Sequence, residues 1–319
     1  MAGLIFWADY FLFLRDVSRL ICESERFQLQ VLALLKERGA AAEFFSTRPV
    51  AVMIENHVDS RPASGLEYAR VVYEMIIEGE ITRYLALFDG NFEAKKIGPV
   101  RSARPFFVAL AEEWRAAYFH AGGSPEALQI LKQSSIADIN EISSDGIYFW
   151  RDRLRFAPHN LYTSSDLVKR ALAAKAVNLQ PDFSPWHFKA DRGLDAAAPP
   201  PADIAVAISP AAEYQVSYRY NQKYNNYTRY LNGRVQATAA GIILKTKNIV
   251  VEHVKYDVID DYGRLDVDLS GGGAAEIYQD GVIINGIWKK SAGRTRYYDQ
   301  NGTEVAFNRG PIWIEIVFY

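Results

Sequence analysis

Two arginines stand immediately before an apolar helical run in the stretch IGPVRSARPFFVALAEEW. Arg101 and Arg104 flank Ser102, and this spacing allows both guanidinium groups to fork onto one carboxylate or phosphate. Basic residues usually gather at the other end of a helix, because the N-terminal end of the helix dipole is already positive. The pattern therefore predicts that a negatively charged group binds beside this helix start.

A second helix start that could bind a ligand lies in HAGGSPEAL. Ser124 is the predicted N-cap and Pro125 the first helical residue. Gly122 and Gly123 allow a ligand to approach the free backbone N–H groups closely, and such groups bind anions readily. His120 would point toward the same helix start. The alternative is a capped helix that needs no ligand, with His120 hydrogen-bonded in the core.

Other polar residues could complete an anion pocket. The predicted ligand-binding residues are Arg83, Arg101, Ser102, Arg104, Gly122, Gly123, Ser124, Arg151 and Asn160. The alternative for each arginine is an internal ion pair, since a buried guanidinium needs a partner. Under that alternative, Arg83 or Arg101 would pair with Glu74 or Glu78.

Acid–base chemistry could come from two histidines and two glutamates. Histidine side chains can act as an acid, a base or a metal ligand, and His159 lies in the loop segment PHN. Glu74 and Glu78 lie four residues apart on one element and could approach the separation that glycosidases use, although pairing with arginines is the preferred interpretation. The candidate catalytic residues are His120, His159, Glu74 and Glu78.

Several motifs of known chemistry are missing. There is no Gly-x-Ser-x-Gly nucleophile elbow, and the SGGG stretch at 270–273 precedes a strand pattern, so it is not a phosphate loop. We found no short-spaced ligand pair, so no metal and no cofactor is predicted. The single cysteine, Cys22, excludes an intramolecular disulfide and a cysteine-rich zinc site.

Composition excludes one class of partner. The chain has 319 residues, of which 49% are hydrophobic and 23% charged, as in a soluble globular protein with about two domains. The formal net charge of −2 gives no basic field for nucleic acid. Nucleic acid is therefore not a predicted partner.

The predicted first domain, residues 47–180, alternates short apolar runs with helical patterns, which indicates a mixed α/β layered structure. The segment 71–80 fits either a strand or a helix. The predicted strands are 50–54, 84–88 and 117–120, and the predicted helices are 105–117, 125–133 and 165–176.

The hydrophobic period changes to two after a Pro- and Ala-rich connection at 181–203. Residues 204–319 are predicted to form a mostly-β barrel or sandwich domain, with hairpin turns at 280–281 and 301–302. The whole chain is thus predicted to be α+β. Six tyrosines crowd one hairpin, where cross-strand packing is favoured over a sugar platform: Tyr214, Tyr218, Tyr220, Tyr224, Tyr227 and Tyr230.

Residues 1–46 form an atypical N-terminal segment. GLIFWADYFLFL is shorter than the roughly 20 residues that span a bilayer, and Asp9 interrupts it. The first basic residue, Arg15, follows the apolar run rather than preceding it as in a secretory signal. A helical extension or an added upstream segment is predicted, and a membrane-surface anchor is the alternative.

Several long motifs resemble the YerB family, whose members are described as bacterial lipoproteins. RPVAVMIENH, IGPVRSARPFFVALA, HAGGSPEAL and APHNLYTS resemble its N-terminal domain of unknown function, DUF3048, and TRYYDQNGTEVAFNRGPIWIEIV resembles its C-terminal domain. The resemblance covers about residues 48–319. It implies an extracytoplasmic, membrane-associated protein, although no signal peptide or lipid-modified cysteine is recognisable, and it implies no established activity.

Two functions remain open. In the first, the α/β domain binds an anionic small molecule or cell-wall fragment through the arginines, and the β domain is a scaffold or a protein-contact surface. In the second, the same pocket belongs to a hydrolase or transferase with His120 or His159 as general base and arginines that stabilise developing negative charge. The sequence favours the first.

Overall fold

A computed structural model describes residues 44–191 and 203–319 of the chain. The prediction for residues 1–46 therefore falls almost wholly outside the described residues, and Cys22 lies outside them too. Residues 192–202 of the predicted connection also lie outside the described residues. Within the described ranges, no helix is long and apolar enough to cross a bilayer. Phe44–Tyr319 forms one compact unit.

Three α-helices are present in the described residues, and their starts follow the sequence signals. They are α1 (Pro105–Glu113), α2 (Pro125–Gln133) and α3 (Ser165–Ala174). The hydroxyl of Ser124 accepts a hydrogen bond from the Ala127 amide at 3.2 Å, which caps α2 as predicted. The helix α1 ends earlier than predicted, because the chain turns at Trp114 and enters a strand at Ala117.

Eight strands precede the gap between the described ranges. They are β1 (Val50–Glu55), β2 (Val71–Ile76), β3 (Thr82–Phe88), β4 (Ala117–His120), β5 (Asp138–Asn140), β6 (Trp150–Arg151), β7 (Leu161–Tyr162) and β8 (Phe188–Lys189). The ambiguous segment 71–80 is a strand followed by a short 3₁₀ turn, Glu78–Glu80. The three strands predicted for this region are confirmed.

The described residues after the gap add thirteen strands. They are β9 (Ile204–Val206), β10 (Val216–Asn221), β11 (Asn226–Leu231), β12 (Arg234–Val235), β13 (Lys245–Thr246), β14 (Asn248–Val254), β15 (Tyr256–Val258), β16 (Leu265–Val267), β17 (Gly272–Gln279), β18 (Val282–Ser291), β19 (Arg294–Asp299), β20 (Phe307–Asn308) and β21 (Ile312–Phe318). Asp280 and Gly281, with φ of 55° and 72°, make the predicted hairpin turn between β17 and β18.

One ten-stranded sheet contains strands from both predicted domains. Its order is β19-β18-β17-β14-β21-β2-β3-β1-β4-β5. The strand β21 lies in the middle, parallel to β14 on one side and to β2 on the other. A separate smaller sheet has the order β12-β11-β10-β9, with β13 also paired to β11. The predicted α+β class is confirmed, and no closed barrel is found among the described strands.

The two faces of the large sheet are covered by different layers. The helix face is covered by α1 and α2. Leu110 of α1, Trp114 directly after α1 and Leu131 of α2 pack against residues such as Met53 and Leu85. The small-sheet face is covered by α3 and by the smaller sheet, which contributes a set of buried apolar and aromatic side chains: Ile204, Val206, Val216, Tyr218, Tyr227 and Leu231. Each layer thus buries one set of alternating strand residues.

The tyrosine-rich hairpin is β10–β11. Tyr218 and Tyr227 are buried in the core, whereas Tyr224 in the turn is exposed. The rings of Tyr220 and Tyr227, directly opposite each other across the two strands, lie 5.0 Å apart. The tyrosines therefore contribute mainly to packing, as the sequence favoured.

Part of the predicted connection belongs to the core. Trp186 is 4% exposed, and its ring contacts those of Trp114, Tyr297 and Phe307. Its indole N–H donates to the Thr295 carbonyl at 2.9 Å. Residues 181–191 thus help to close the helix face of the large sheet instead of running over its surface.

Glu252 on β14 is a buried acid, and it should make stability depend on pH. Burial and the charge of Glu113 raise the pKa of Glu252 to about 8, despite a hydrogen bond from Tyr297 and the nearby Lys290. Between an ordinary pKa of 4.5 and about 8, the folded chain holds a proton that the unfolded chain has released. The free energy of unfolding should therefore fall as pH rises through that interval.

Urea unfolding at pH 6 and pH 8 tests this expectation. Glu252→Gln should lose less stability than the parent chain between the two pH values, because the amide cannot ionise. Glu80→Gln, at an exposed position in the 3₁₀ turn, is the matched control and should keep the parental dependence. An unchanged pH dependence in Glu252→Gln would show that another group titrates.

Candidate functional site

The segment that carries Arg101 and Arg104 crosses the carboxyl end of β1. The amide of Arg101 donates to the Met53 carbonyl at 3.1 Å, and the Ala121 amide donates to the Arg101 carbonyl at 3.0 Å. The segment is therefore fixed between the end of β1 and the turn after β4. Beside it, Arg83 on β3 is the direct cross-strand partner of Glu55.

Three arginines meet at this edge of the helix face. Arg83 is 4% exposed and donates to the Ser102 carbonyl at 2.7 Å. The Arg101 Nε lies 3.0 Å from Glu55 Oε1. Arg104 forms a two-pronged ion pair with Glu78, in which Nη2 donates to Oε2 at 2.9 Å. Arg83, Arg101 and Arg104 are called the arginine cluster below.

The arginine cluster has more positive charge than its carboxylates neutralise. Glu55 and Glu78 face Arg101 and Arg104, and no carboxylate among the described residues forms an ion pair with Arg83. Burial, and then the like charges of Arg104 and Arg101, lower the pKa of Arg83 to about 9. Burial opposes ionisation of Glu78, but the hydrogen bond and charge of Arg104 outweigh it and lower the pKa of that carboxyl.

Two buried polar donors beside the cluster have neither a hydrogen-bond partner nor an ion-pair contact among the described residues. They are the Nε of Arg83 and the hydroxyl of Tyr118 on β4. Burial raises the pKa of Tyr118, while the charges of Arg83 and Arg104 oppose that shift, so the ring lies in the field of the cluster. Both atoms are donors at neutral pH, and a buried donor without an acceptor is unfavourable.

The start of α1 adds further donors to the same place. Arg104 occupies its N-cap position but makes no capping hydrogen bond, and the first turn contains no acidic residue. The N-terminal end of the helix is thus left without a negative neighbour in its own first turn. The cluster, Tyr118 and this helix start thus place donors and positive charge at one edge of the fold.

The start of α2 is less available than the sequence suggested. The Gly122 amide donates to Asn140 Oδ1 at 2.8 Å, and the Ser124 amide donates to the Ala103 carbonyl at 3.3 Å. Arg104 and Ser124 line one cleft of only about 10 Å³, which Glu126 also lines. Because most of these donors are already used, Gly122, Gly123 and Ser124 are left out of the site proposed below.

His120 is completely buried, with both ring nitrogens engaged. Its Nδ1 lies 2.7 Å from the Gly122 carbonyl oxygen, and its Nε2 lies 2.7 Å from Asp138 Oδ1. Since the carbonyl can only accept, Nδ1 must carry the proton of that hydrogen bond. Neither nitrogen is free to take a proton from a substrate in this arrangement.

His159 has a more open environment than His120. Its Nδ1 lies 3.0 Å from Glu55 Oε2, on the same carboxylate that faces Arg101, and its side chain is 18% exposed. The contact is a close approach and not a hydrogen bond, since both atoms lack a hydrogen-bond partner among the described residues. Glu55 therefore connects the histidine to the arginine cluster.

Arg151 and Asn160 have structural roles in the loop that carries His159. Arg151 donates to Asn160 Oδ1 at 3.1 Å and pairs with Glu141 at 3.2 Å. The Asn160 amide donates to the carbonyls of Asp152 and Arg155. These contacts hold the loop together, so we leave both residues out of the proposed site.

The two candidate glutamates face different surroundings. Glu78 pairs with Arg104 near the helix face, whereas Glu74 is fully buried on the small-sheet face. Glu74 accepts from Asn56 at 3.0 Å and pairs with Arg229 of the smaller sheet. Its partner is thus neither of the two arginines that the sequence suggested.

Arg229, Glu74 and Glu315 form a buried ionic triad. Arg229 is 1% exposed and both carboxylates are fully buried, with Glu315 Oε1 3.5 Å from Arg229 Nη2. The guanidinium also lies over the Trp313 ring at 4.2 Å and donates to the Tyr218 hydroxyl at 3.1 Å. Burial and the charge of Glu74 raise the pKa of Glu315 to about 8. The triad ties the smaller sheet to the large one.

One group of side chains has metal-ligand chemistry. Possible ligand atoms of His57, Asp59 and His159 all lie within 4.8 Å of one another. The two imidazole rings are stacked almost parallel, with centroids 4.9 Å apart and an interplanar angle of 13°. Lone pairs lie in the ring planes, so those of parallel rings do not converge on one ion, and we assign no metal here.

A larger cavity lies beside the smaller sheet, and none of the three arginines of the cluster lines it. Its volume is about 340 Å³, and its polar lining is formed by Asn56, Arg61, Asn232, Arg234 and Gln236. The sequence did not single it out, because these residues come from two distant segments. Its two arginines make it a necessary comparison for any anion-binding experiment.

Sequence reasoning missed two residues of the candidate site. Glu55 is a carboxylate at the end of the apolar run VAVMIE, and Tyr118 lies two positions before His120 on the same strand face. The first signal, a charged residue that ends a fully buried strand, was available in the sequence. The second was not, because a tyrosine within an apolar strand is common in any core.

The chain matches family models and a solved structure. Residues 37–178 match the model described as "Protein of unknown function (DUF3048) N-terminal domain", and residues 204–314 match the DUF3048 C-terminal domain. It is 34% identical over 271 residues to "Putative lipoprotein YerB" of Bacillus subtilis (strain 168), covering 85% of this chain and 81% of that protein. The crystal structure of the YerB protein from Bacillus subtilis superimposes with a TM-score of 0.74 at 33% identity, covering 85% of this chain and 91% of that chain.

Proposed function

Because this chain belongs to the DUF3048 family of YerB-like proteins, for which the family description gives no function, we propose from its own geometry that it binds an anionic small molecule or cell-wall fragment at the arginine cluster. The ligand would carry a phosphate or carboxylate. We also propose an extracytoplasmic, membrane-associated location, since the Bacillus subtilis relative is described as a lipoprotein.

The observation that supports the proposal most is that Arg83 is buried without full pairing of its guanidinium group. A guanidinium that is 4% exposed, has an unpartnered Nε and lies near two like charges is expensive to bury. A bound anion would accept from Arg83 and from Tyr118, and would offset the charge of the cluster. Strongly perturbed groups gathered at one edge of a fold are typical of functional sites.

Access to the cluster supports the same proposal. The side chains of Arg101 and Arg104 are 27% and 17% exposed, whereas Arg83 lies behind them. A ligand would first meet the two outer arginines, and Arg104 would exchange part of its pairing with Glu78 for the anion. Charge-assisted hydrogen bonds to arginine recognise phosphate and carboxylate by shape as well as charge.

Isothermal titration with inorganic phosphate, pyrophosphate and phosphorylated wall fragments tests the proposal. Arg101→Ala and Arg104→Ala should each weaken binding about tenfold to a hundredfold, because each removes charge-assisted hydrogen bonds. Tyr118→Phe should weaken it less, since one neutral donor is removed without loss of volume.

Arg234→Ala is the matched control, because it removes an exposed arginine from the cavity beside the smaller sheet. It should leave binding unchanged. If Arg234→Ala abolishes binding and the cluster variants do not, the ligand lies in that cavity and the proposal is wrong. Full binding by the double variant Arg101→Ala/Arg104→Ala would also contradict it.

A hydrolase or transferase is the second candidate, supported by the position of Glu55. This buried carboxylate lies 3.0 Å from both His159 and Arg101, so it could orient His159 as a general base beside the anion site. With bis-p-nitrophenyl phosphate as a probe substrate, His159→Gln should abolish turnover but retain phosphate binding. Binding without any turnover by the parent chain would leave only the first function.

A further inference from the structure

The loop 151–156 exposes two large apolar side chains to an unusual degree. Leu154 is 93% exposed and Phe156 is 90% exposed. Single exposed apolar residues are ordinary, but two at the tip of one loop form a feature that needs a partner. Residues 151–156 are called the apolar loop below.

Hydrogen bonds hold the apolar loop in this conformation. The Arg155 guanidinium donates to the Tyr162 hydroxyl at 2.9 Å and to the carbonyls of Arg61 and Asp59 at 3.1 and 3.3 Å. The Leu154 amide donates to Asp152 Oδ1 at 2.8 Å. Since Arg155 is held inward, its two neighbours are held outward, so their exposure follows from specific contacts.

The charges around the loop leave a positive excess. Asp152 pairs with Lys96, and Arg151 pairs with Glu141. Arg153 and Arg155 have no carboxylate partner among the described residues, and Arg153 is exposed. The surface around the two apolar side chains therefore favours a negatively charged partner.

A neighbouring segment extends the same surface. Because Glu141 contacts Arg151, the turn that follows β5 lies beside the apolar loop. Ile142 in this turn is 72% exposed, and Ile147 in the 3₁₀ helix Ser144–Tyr148 that follows it is 67% exposed. Exposed apolar tips with an arginine that lacks a carboxylate partner among the described residues, Arg153, directly before Leu154 suit the headgroup region of a bilayer, where apolar groups insert and basic groups meet lipid phosphates.

We infer that the apolar loop docks on an anionic phospholipid surface. Leu154 and Phe156 enter the boundary between headgroups and acyl chains, and Arg153 pairs with lipid phosphates. The folded protein would thus contact the membrane directly, through side chains of the apolar loop. The inference does not depend on ligand binding at the arginine cluster.

Sedimentation with vesicles tests the inference in the full chain. Binding should be stronger to phosphatidylcholine mixed with phosphatidylglycerol than to phosphatidylcholine alone, and added salt should weaken it. Leu154→Ser/Phe156→Ser should lower the partition coefficient at least about tenfold, because two apolar groups no longer insert. Arg153→Ala should weaken binding to the anionic vesicles only.

The double variant Ile242→Ser/Ile243→Ser is the matched control, because both residues, in the segment between β12 and β13, are about half exposed (51% and 46%). It should bind like the parent chain. Phe156→Trp adds a tryptophan in the loop to the six of the parent chain. The difference between the emission spectra of the variant and the parent chain should shift to the blue with anionic vesicles.

Three results would overturn the inference. One is equal binding by the loop and control double variants, and another is no fluorescence shift in Phe156→Trp. The third is self-association of the parent chain that Leu154→Ser/Phe156→Ser abolishes, without vesicle binding, since the loop would then be a contact between two copies of the chain.

Discussion

A chain that ends at Pro311, and so lacks β21, should fail to form the large sheet. Five residues of this strand, Ile312, Trp313, Ile314, Ile316 and Val317, are at most 7% exposed. Burial of a large apolar side chain contributes roughly 1.5–3 kcal/mol, so their loss removes about 8–15 kcal/mol, as much as the whole stability of a typical domain. The edges of β2 and β14 would also lose their hydrogen-bond partners.

Circular dichroism and urea unfolding would measure this effect. The truncated chain should show no cooperative unfolding transition, whereas removal of Tyr319 alone, a residue 62% exposed, should change little. The milder variant Ile314→Ala should remain folded and lose about 2–5 kcal/mol. A native-like transition in the truncated chain would mean that the first half of the sheet is stable without β21.

Arg229→Met should destabilise the protein by about 3–5 kcal/mol, because it leaves the buried Glu74 carboxylate without its counter-ion. Glu74 and Glu315 are both fully buried, and Arg229 is the cation that pairs with them. Methionine fills a similar volume, so the loss of stability reflects removal of the charge more than loss of packing. Urea unfolding at pH 7 measures the difference.

The triple variant Glu74→Gln/Arg229→Met/Glu315→Gln is the matched comparison. It removes the Glu74–Arg229 charge pair and the Glu315 carboxyl together and should recover most of the stability, since replacing a whole buried ionic group by neutral residues is often nearly neutral. If the triple variant is no more stable than Arg229→Met, the destabilisation comes from lost packing around Trp313 and Tyr218 and not from the unpaired charge.

Local features of the fold could be predicted because they depend on short stretches of chain. Serine and proline at the start of α2, and Asp280–Gly281 between β17 and β18, encode backbone geometry directly. The position of β21 could not be predicted. Its apolar run identifies a strand, but pairing with β2 joins Val71 to Ile312 and depends on the rest of the sheet.

The candidate site was predictable to the same limited extent. The two arginines before α1 were identified by their unusual position in the sequence, and the structure brings Arg83 to them. The partner of Glu74 was not predictable, because Arg229 lies 155 residues away on the smaller sheet. Ion pairs between distant elements follow from tertiary packing, which no local pattern encodes.

The central place of β21 has a kinetic consequence. Sheets built from pairings between distant segments form slowly, because the chain must close a very long loop before those contacts stabilise it. Until β21 pairs with β2, so that Ile312 lies opposite Val71, a partly folded molecule exposes two unpaired strand edges. Such edges promote association with other chains. Refolding yield should therefore fall steeply with protein concentration, and the two segments that the family models separate should not be exchangeable as independent modules.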